Sequence, residues 1–597
     1  MNIQESKLKL EKFHKRIILL ILIFLIVIAR FYFSTIHEIL GFLIYSLIIL
    51  ILILAINSIP FIGLITSLRL NINNLNNILL NDLSLTQNNL ITWWFKLSIF
   101  ISFLVQIFVD YKIISFIFYI LGFGKYNIRT LSKFKNYALI NCNIIDGKKN
   151  SDIIYNGIIL VENIYSKNES KSEKFVDENN SFNIDSNFIG IIKAVGIKDN
   201  VKIPESYKII DLKNKFVLPG LINAHAHLIG SGKPSGIFKL KPEFIEKIIF
   251  LLESKIVQSI IFKLMKKNVR ISLNAGITTI RCLGDAKFLD VKLRNKINQN
   301  KILGPRLLVA GETICTTGGH GSLYGNVADS KTEFKKHVRN NISKGVDLIK
   351  IISTGGVMDA QKVSDAGKPQ MTIDEIEVVT SEAHRANLKV AAHCESTKGI
   401  EEALIAGVDT IEHGAPLNSK IIELFKNNPK SLNGYSVLIP TIMTGMPLAL
   451  LMPRITKITP NSYESAKIVF NGSLEGLKMA YKSGIKLGIG NDASVPFNTH
   501  YNIWKEIKYF SKFTGIKSQE AIYIATLGNA EILGIDKITG SIELNKSADM
   551  IVLDYNPLED IESLSKIRFV IIKGMIIKNP KLKKIKKVEK LSKYIDI

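Results

Sequence analysis

Two histidines separated by one residue, His225 and His227 in LPGLINAHAHL, close an apolar run of strand length. On an extended strand, positions i and i+2 face the same side, so both imidazoles can chelate one cation. The pair alone is weak evidence, because His-x-His arises by chance in many chains. Four further potential ligands each close a separate strand-like run: Lys350 in DLIKI, His393 in VAAHC, His413 in TIEHG and Asp492 in GIGNDA. In a parallel barrel every strand C-terminus opens on one face, so ligands scattered over about 270 residues of sequence would converge there. Such a cluster suits hydrolysis by a metal-activated water.

Other candidates are weaker. His320, in TGGHG, reads equally as a substrate or oxyanion contact and as a structural loop histidine. Tyr324 in GSLYGN is a lesser candidate, and His500 in PFNTHYNIW could line the same pocket. His384 falls in the helical stretch EAHRANLK and reads as a surface residue, while His14, His37 and His337 carry no site signal. Cys142, Cys282, Cys315 and Cys394 form no CxxC pair, so neither a zinc knuckle nor a redox motif is supported. Isolated cysteines fit a reducing compartment.

The elements that must position these residues are legible as texture. From Leu221 to about Ile535, ITTIRCLG, RLLVAG, DLIKIIS, KVAAHC, DTIEHG, SVLIPT and KLGIGND alternate with helical patterns, which argues for a parallel sheet with covered faces closed into a barrel. YALINCNII, GIILVENIY, FIGIIKAVG and YKIIDLKNKFVLPG before it, and SADMIVLDYNP and RFVIIKGMIIK after it, read as strands of one small sheet. Residues 166–186 are polar and read as an exposed insertion.

At this point the chain resembles the amidohydrolase superfamily of metal-dependent hydrolases. The likeness is to the branch of imidazolonepropionase-related and prolidase-like enzymes, the Xaa-Pro or Xaa-Arg dipeptidase-like members. It spans about residues 136–578 and rests on FVLPGLINAHAHL, AGITTIRCLGD, GPRLLVAGETICTTGGHG, KGVDLIKIISTGGVM, EAHRANLKVAAHCES, AGVDTIEHG and GIGNDA in the family's order. The resemblance implies an α/β fold, a TIM-type (β/α)8 barrel with a small flanking β-sandwich. It also implies two divalent ions, usually zinc. His225, His227 and Asp492 match the ligands of the first metal, and His393 and His413 those of the second. Lys350 matches the family's bridging lysine, which takes up carbon dioxide as a carbamate; imidazolonepropionase itself uses one metal and no carbamate. Asp492 matches the residue that accepts a proton from the water and delivers it to the leaving nitrogen, and His320 is the accompanying catalytic candidate.

Composition adds a puzzle. The 597 residues carry a formal net charge of +25 and are 47% hydrophobic, which rules out wholesale disorder, while four cysteines are too few for a disulfide scaffold. The apolar runs at 17–29, 39–68 and 93–123 predict two to four transmembrane helices within 1–135, and no small-residue cleavage site marks the first as a signal peptide. Lysines and arginines before the first run and after the last predict an integral, multi-pass membrane protein with its catalytic domain in the cytoplasm. The expected order is therefore a membrane region (1–135), a small β-sandwich (136–218 with 536–580), the barrel (219–535) and a basic tail (581–597). From Lys573 onward nine lysines face two acidic residues, which predicts a lipid-bilayer partner rather than a nucleic acid. The expected activity is hydrolysis of a C–N bond in a small molecule, a short peptide or an N-acyl amino acid. The alternatives are a cyclic amide or imidazolone ring hydrolase and a catalytically retired membrane scaffold, with a homo-oligomer left open. Transport finds little support, since only Lys96, Asp110 and Lys112 are charged within the third run.

Overall fold

The computed structural model describes residues 136–165, 188–234, 250–358 and 360–595, all of them within one compact unit, Lys125–Ile597. Strands β1 (Asn136–Ile144), β2 (Ile154–Tyr165), β3 (Phe188–Ile197) and β4 (Lys208–Pro219) come first. They are followed by β5 (Leu221–Ala226), β6 (Ile277–Cys282), β7 (Arg306–Val309), β8 (Ile314–Cys315) and β9 (Asn326–Val327). Next are β10 (Leu348–Ile352), β11 (Lys389–Cys394), β12 (Thr410–His413) and β13 (Val437–Ile439). The last are β14 (Met550–Leu553), β15 (Ile567–Ile572) and β16 (Met575–Lys578).

The outer strands assemble a seven-stranded sheet in the order β16-β15-β14-β4-β1-β2-β3. Only β1 and β4 run parallel in it. β-Branched and aromatic residues favour these positions because one face is covered: Tyr137, Leu139, Ile159, Val217, Val552 and Ile571 pack into a core of their own. Segments more than 300 residues apart in sequence thus share one sheet, as the alternating texture at both ends of the chain predicted.

The remaining strands are parallel, in the orders β5-β6-β7 and β13-β12-β11-β10-β8-β9. Every residue of β5, β6, β10, β12 and β13 is buried, which is why these strands read as continuous apolar runs. Two seams join the groups into a ring. At the first, the Asp347 amide donates to the Val309 carbonyl at 2.8 Å, and the Asp347 carboxylate accepts the Val309 amide at 2.8 Å. At the second, the extended stretch 486–493 lies between β13 and β5: Gly488 N donates to Leu438 O at 3.0 Å, Ala224 N to Ile489 O at 3.0 Å, and Asp492 N to His225 O at 2.8 Å.

Helices cover the ring: α1 (Lys255–Asn274), α2 (Leu289–Asn298), α3 (Lys331–Ser343), α4 (Ile373–Arg385), α5 (Thr397–Ile405) and α6 (Ser419–Lys426). The last four of these carry side-chain caps: Ser330 with Glu333 and Thr372 with Glu375 form capping boxes on α3 and α4, and Ser396 and Asn418 cap α5 and α6. Between β13 and 486–493 the chain makes three helices, α7 (Ile442–Leu450), α8 (Pro453–Thr456) and α9 (Pro460–Lys482), before α10 (Ile503–Thr514). The sequence pattern anticipated a simple strand–helix alternation here. Pro453 and Pro460 instead each begin a new helix, where the missing amide costs nothing.

Two expectations are corrected. Among the described residues no helix is long and apolar enough to cross a membrane, so the structure shows an α/β fold and supports neither the expected preceding transmembrane helices nor the integral-membrane placement that rested on them. The longest helices are charged as well as apolar: α1 carries Lys263, Lys266, Lys267 and Arg270, and α9 carries Glu464, Lys467, Glu475 and Lys478. The runs at 17–29, 39–68 and 93–123, like the polar insertion at 166–186, lie outside the described residues. The basic tail, expected as a lipid-facing arm, forms helix α11 (Lys586–Ser592) docked on the barrel. Val588 and Ile595 are buried there, and the Ile585 amide donates to the Tyr501 hydroxyl at 2.8 Å.

The second seam leaves no room for a side chain at 490. A Cβ on Gly490 would lie 2.4 Å from the His225 amide nitrogen and 2.6 Å from its Cβ. Gly490→Ala should therefore destabilise the protein by about 1–3 kcal/mol, read as a lowered melting temperature. An unchanged melting temperature would show that the seam is looser than this.

Candidate metal centre

The C-terminal ends of the parallel strands bring His225, His227, Lys350, His393, His413 and Asp492 to the wall of a single cavity of about 1170 Å³. His225 Nδ1 lies 2.7 Å from Glu412 Oε2. An ionised carboxylate can only accept, so Nδ1 carries the proton and Nε2 faces the cavity with its lone pair. The same logic holds for His227, whose Nδ1 lies 2.6 Å from the Gly284 carbonyl oxygen. His413 Nδ1 is 2.7 Å from Thr441 Oγ1. Next to Gly284, the Asp285 carboxylate accepts the amides of Leu228 at 2.9 Å and Ile229 at 3.1 Å, which holds the loop leaving β5.

Beneath the histidines sits a charged pair that sequence reasoning missed. Glu412 Oε1 accepts Arg281 Nη2 at 2.8 Å and the Thr410 hydroxyl at 2.6 Å, while Arg281 Nε also donates to the Ala224 carbonyl at 2.5 Å. Burial pushes the Glu412 carboxyl up, but Arg281 and His225 beside it hold it well below the usual range. The available signal was strand alternation, which sets Thr410 and Glu412 on one face of β12 and Ile411 on the other. It names neither Arg281 nor His225 as their partners.

The donor set fits a divalent cation. One ligand atom from each of His225, His413 and Asp492 lies within 4.8 Å of the other two. Asp492 Oδ1 is buried without a hydrogen bond, although His225 Nε2 and His227 Nε2 stand 3.5 and 3.4 Å away. His393 Nε2 is buried and equally unsatisfied, its ring 4.6 Å from that of His413 and 4.8 Å from that of His320. Buried polar atoms of this kind are costly unless something answers them. Burial lowers the pKa values of His225, His393 and His413, the last two reinforced by neighbouring imidazoles, which keeps their lone pairs available. Burial likewise lowers that of Lys350, against the pull of Glu412 and Asp492. For Asp492 burial acts upward, but His225, His227, His413 and Lys350 outweigh it and keep the carboxylate ionised.

His413, Thr441 and Asp492 all adopt left-handed backbone conformations, with φ of 72°, 43° and 51°. Each costs of order 1–3 kcal/mol for a non-glycine residue and concentrates at functional sites. His320 is half-buried on the cavity wall, its amide donating to Gln370 Oε1 at 2.8 Å. Tyr324 lines the same cavity and is exposed. His500 is buried behind the wall instead: its Nε2 lies 2.8 Å from the Gly230 carbonyl, and burial pulls its pKa down to about 4. His384, expected at the surface, is largely buried and lies 2.9 Å from Asp409 Oδ2. His337 is half-buried and does not line the cavity; its Nε2 lies 3.0 Å from the Val327 carbonyl oxygen.

The model of the amidohydrolase family matches residues 216–577. A solved structure from Bifidobacterium longum, assigned as a prolidase, is 33% identical, with a TM-score of 0.64 over 78% of this chain and 100% of that one. A Xaa-Pro dipeptidase solved with methionine in its active site is 27% identical, with a TM-score of 0.59 over 74% of this chain and 100% of that one. Ochratoxinase of Aspergillus niger is 24% identical over 318 residues, covering 49% of this chain and 62% of the relative's own length. The chain belongs to the amidohydrolase family, metal-dependent hydrolases that act on carbon–nitrogen bonds.

Proposed function

We propose that the protein hydrolyses a linear amide, a short peptide or an N-acyl amino acid, at a centre of two divalent ions, with zinc as the metal that imidazole and carboxylate donors suit. The observation that carries this reading is the unanswered pair of buried donors, Asp492 Oδ1 and His393 Nε2, within one cluster of imidazoles. His225, His227 and Asp492 would hold one ion, and His393 and His413 the other. Bound there, divalent ions supply Lewis acidity toward a scissile carbonyl and make water a nucleophile near neutral pH.

The chain's own residues do the rest. Lys350, buried and pushed toward its neutral amine, is in the form that adds carbon dioxide, releasing one proton and leaving a carbamate whose negative charge suits a place between cations. Asp492, whose Oδ2 is held by the Thr444 hydroxyl at 3.3 Å, would also take a proton from the attacking water and return it to the leaving nitrogen. His320 stands beside His393 and contacts the substrate. Substrate size follows from the cavity wall, where Ile442, Leu448, Val469, Phe470 and Leu474 of α7 and α9 are apolar. The cations Lys233 and Lys457 line the same cavity and make no ion pair with another described residue, which favours a substrate carrying a free carboxylate. The names of the relatives support the same class, and the complete donor set favours a working enzyme over a retired scaffold. A cyclic amide or imidazolone remains the second reading, because the same centre would open a ring.

Asp492→Asn should fold, keep its melting temperature within a few degrees and lose about 10²–10⁴-fold in kcat on an N-acyl amino acid; activity retained with the amide would remove Asp492 as the proton carrier. Metal analysis of the purified protein should find two divalent ions per chain, and dialysis against chelator should abolish hydrolysis. Lys457→Ala should raise KM about tenfold for a substrate with a free carboxylate and leave KM for its carboxamide unchanged. An equal change for both would place the carboxylate elsewhere.

A further inference from the structure

Helix α7 begins at the metal centre without a side-chain cap from its own N-cap residue. Its first residues follow Thr441, a residue type that ordinarily caps a helix by accepting an amide two or three positions on. Thr441 makes no such bond; its hydroxyl lies 2.7 Å from His413 Nδ1. The orphan amides are taken instead by a side chain from another helix. Glu506 of α10, fully buried, accepts the Ile442 amide at 2.7 Å and the Met443 amide at 2.8 Å, one on each carboxylate oxygen. The same first turn carries Thr444, whose hydroxyl donates to Asp492 Oδ2, and presents Ile442, Thr444 and Gly445 to the cavity.

The geometry points to Glu506 as a positioning residue of the metal centre: by capping α7 from outside, it frees the Thr441 hydroxyl to orient His413 and sets Thr444 against Asp492. Two demands compete for one hydroxyl. Helix amides without an acceptor are destabilising, and Thr441, at the N-cap position, is the residue placed to supply one. Without Glu506, the hydroxyl would turn to the helix and leave His413 Nδ1 without its partner, so the ring would lose both its tautomer and its direction. Partners of this outer kind are worth about 10–100-fold in metal affinity. Glu506 touches neither ligand nor substrate, so its effect must pass through Thr441 and Thr444.

The inference rests on reading His413 and Asp492 as metal ligands, and the test separates the two. Metal dissociation constants are measured by chelator competition for the full-length protein and for Glu506→Leu, Glu506→Gln, Thr441→Val and the double variants, with the melting temperature of each metal-free form as the structural control. Glu506→Leu should raise the dissociation constant about tenfold, and Glu506→Gln, which keeps one acceptor oxygen, should recover part of that. In the Thr441→Val background either Glu506 substitution should have a smaller effect on affinity than in the parent protein, because the hydroxyl it protects is gone and only the route through Thr444 remains. If Glu506→Leu does not fold, the Glu506→Gln pair with Thr441→Val carries the same comparison. Full additivity, or a lowered melting temperature with affinity unchanged within twofold, would overturn the inference and leave Glu506 a packing residue. His413→Asn should release metal; retention there would overturn the ligand reading itself, and the inference with it.

Discussion

The centre depends on one backbone contact, the Asp492 amide on the His225 carbonyl at 2.8 Å. It is the last rung of the seam that closes the ring, and it joins a ligand candidate on the first barrel strand to one that follows it by 267 positions in sequence. Neither strand could approach so closely with a side chain at Gly490. Closure of the barrel and assembly of the donor set are therefore one event. A ring that failed to close would leave the two histidines of β5 without the carboxylate, and the carboxylate without any cation to answer its charge.

Electrostatics sets the second condition. Four imidazoles and an amine share a small buried volume, and if all were protonated they would repel each other at low dielectric. Burial eases this by moving His225, His393, His413 and Lys350 toward their neutral forms. Negative charge comes from two sides: Asp492 at the mouth and Glu412 underneath, the latter tied to Arg281. The result is a pocket of lone pairs with a surplus of electron density and no protons to satisfy it, an environment a divalent cation completes. The same arrangement explains why Asp492 Oδ1 and His393 Nε2, on residues that line the cavity, are among the buried atoms without a hydrogen bond.

What could be read in the sequence was whatever has a local period. The strands of the small sheet could be read because β-rich runs and turn residues sit side by side, and the six candidate donors could be named because each closes an apolar run. Glu412 and Arg281 were not, because their contact crosses the barrel interior and no spacing records it. The tail misled for a different reason. Its lysines dominate its composition, while the residues that dock it, Val588, Leu591 and Ile595, are three apolar positions at helical spacing, too few to weigh against nine like charges. The apolar runs before residue 124 lie outside the described residues, and nothing within those residues takes up the membrane role they suggested.

The wall built by α7 and α9 explains why the ring carries three helices where a single crossover would reach. Their apolar side chains face the cavity, where on the proposed function the substrate's bulk would be read, and the same segment contacts His413 through Thr441 and Asp492 through Thr444. Recognition and ligand geometry are thus set by one short stretch of backbone. That coupling has a structural cost, paid in three left-handed residues and a threonine diverted from its helix. A buried carboxylate on α10 offsets part of it. An insertion that only enlarged the pocket would need none of these features, and a turn that only held ligands would have no reason to continue into an apolar helix. Their presence together argues that substrate contact with α7 and α9 would bear directly on the residues proposed to perform the hydrolysis.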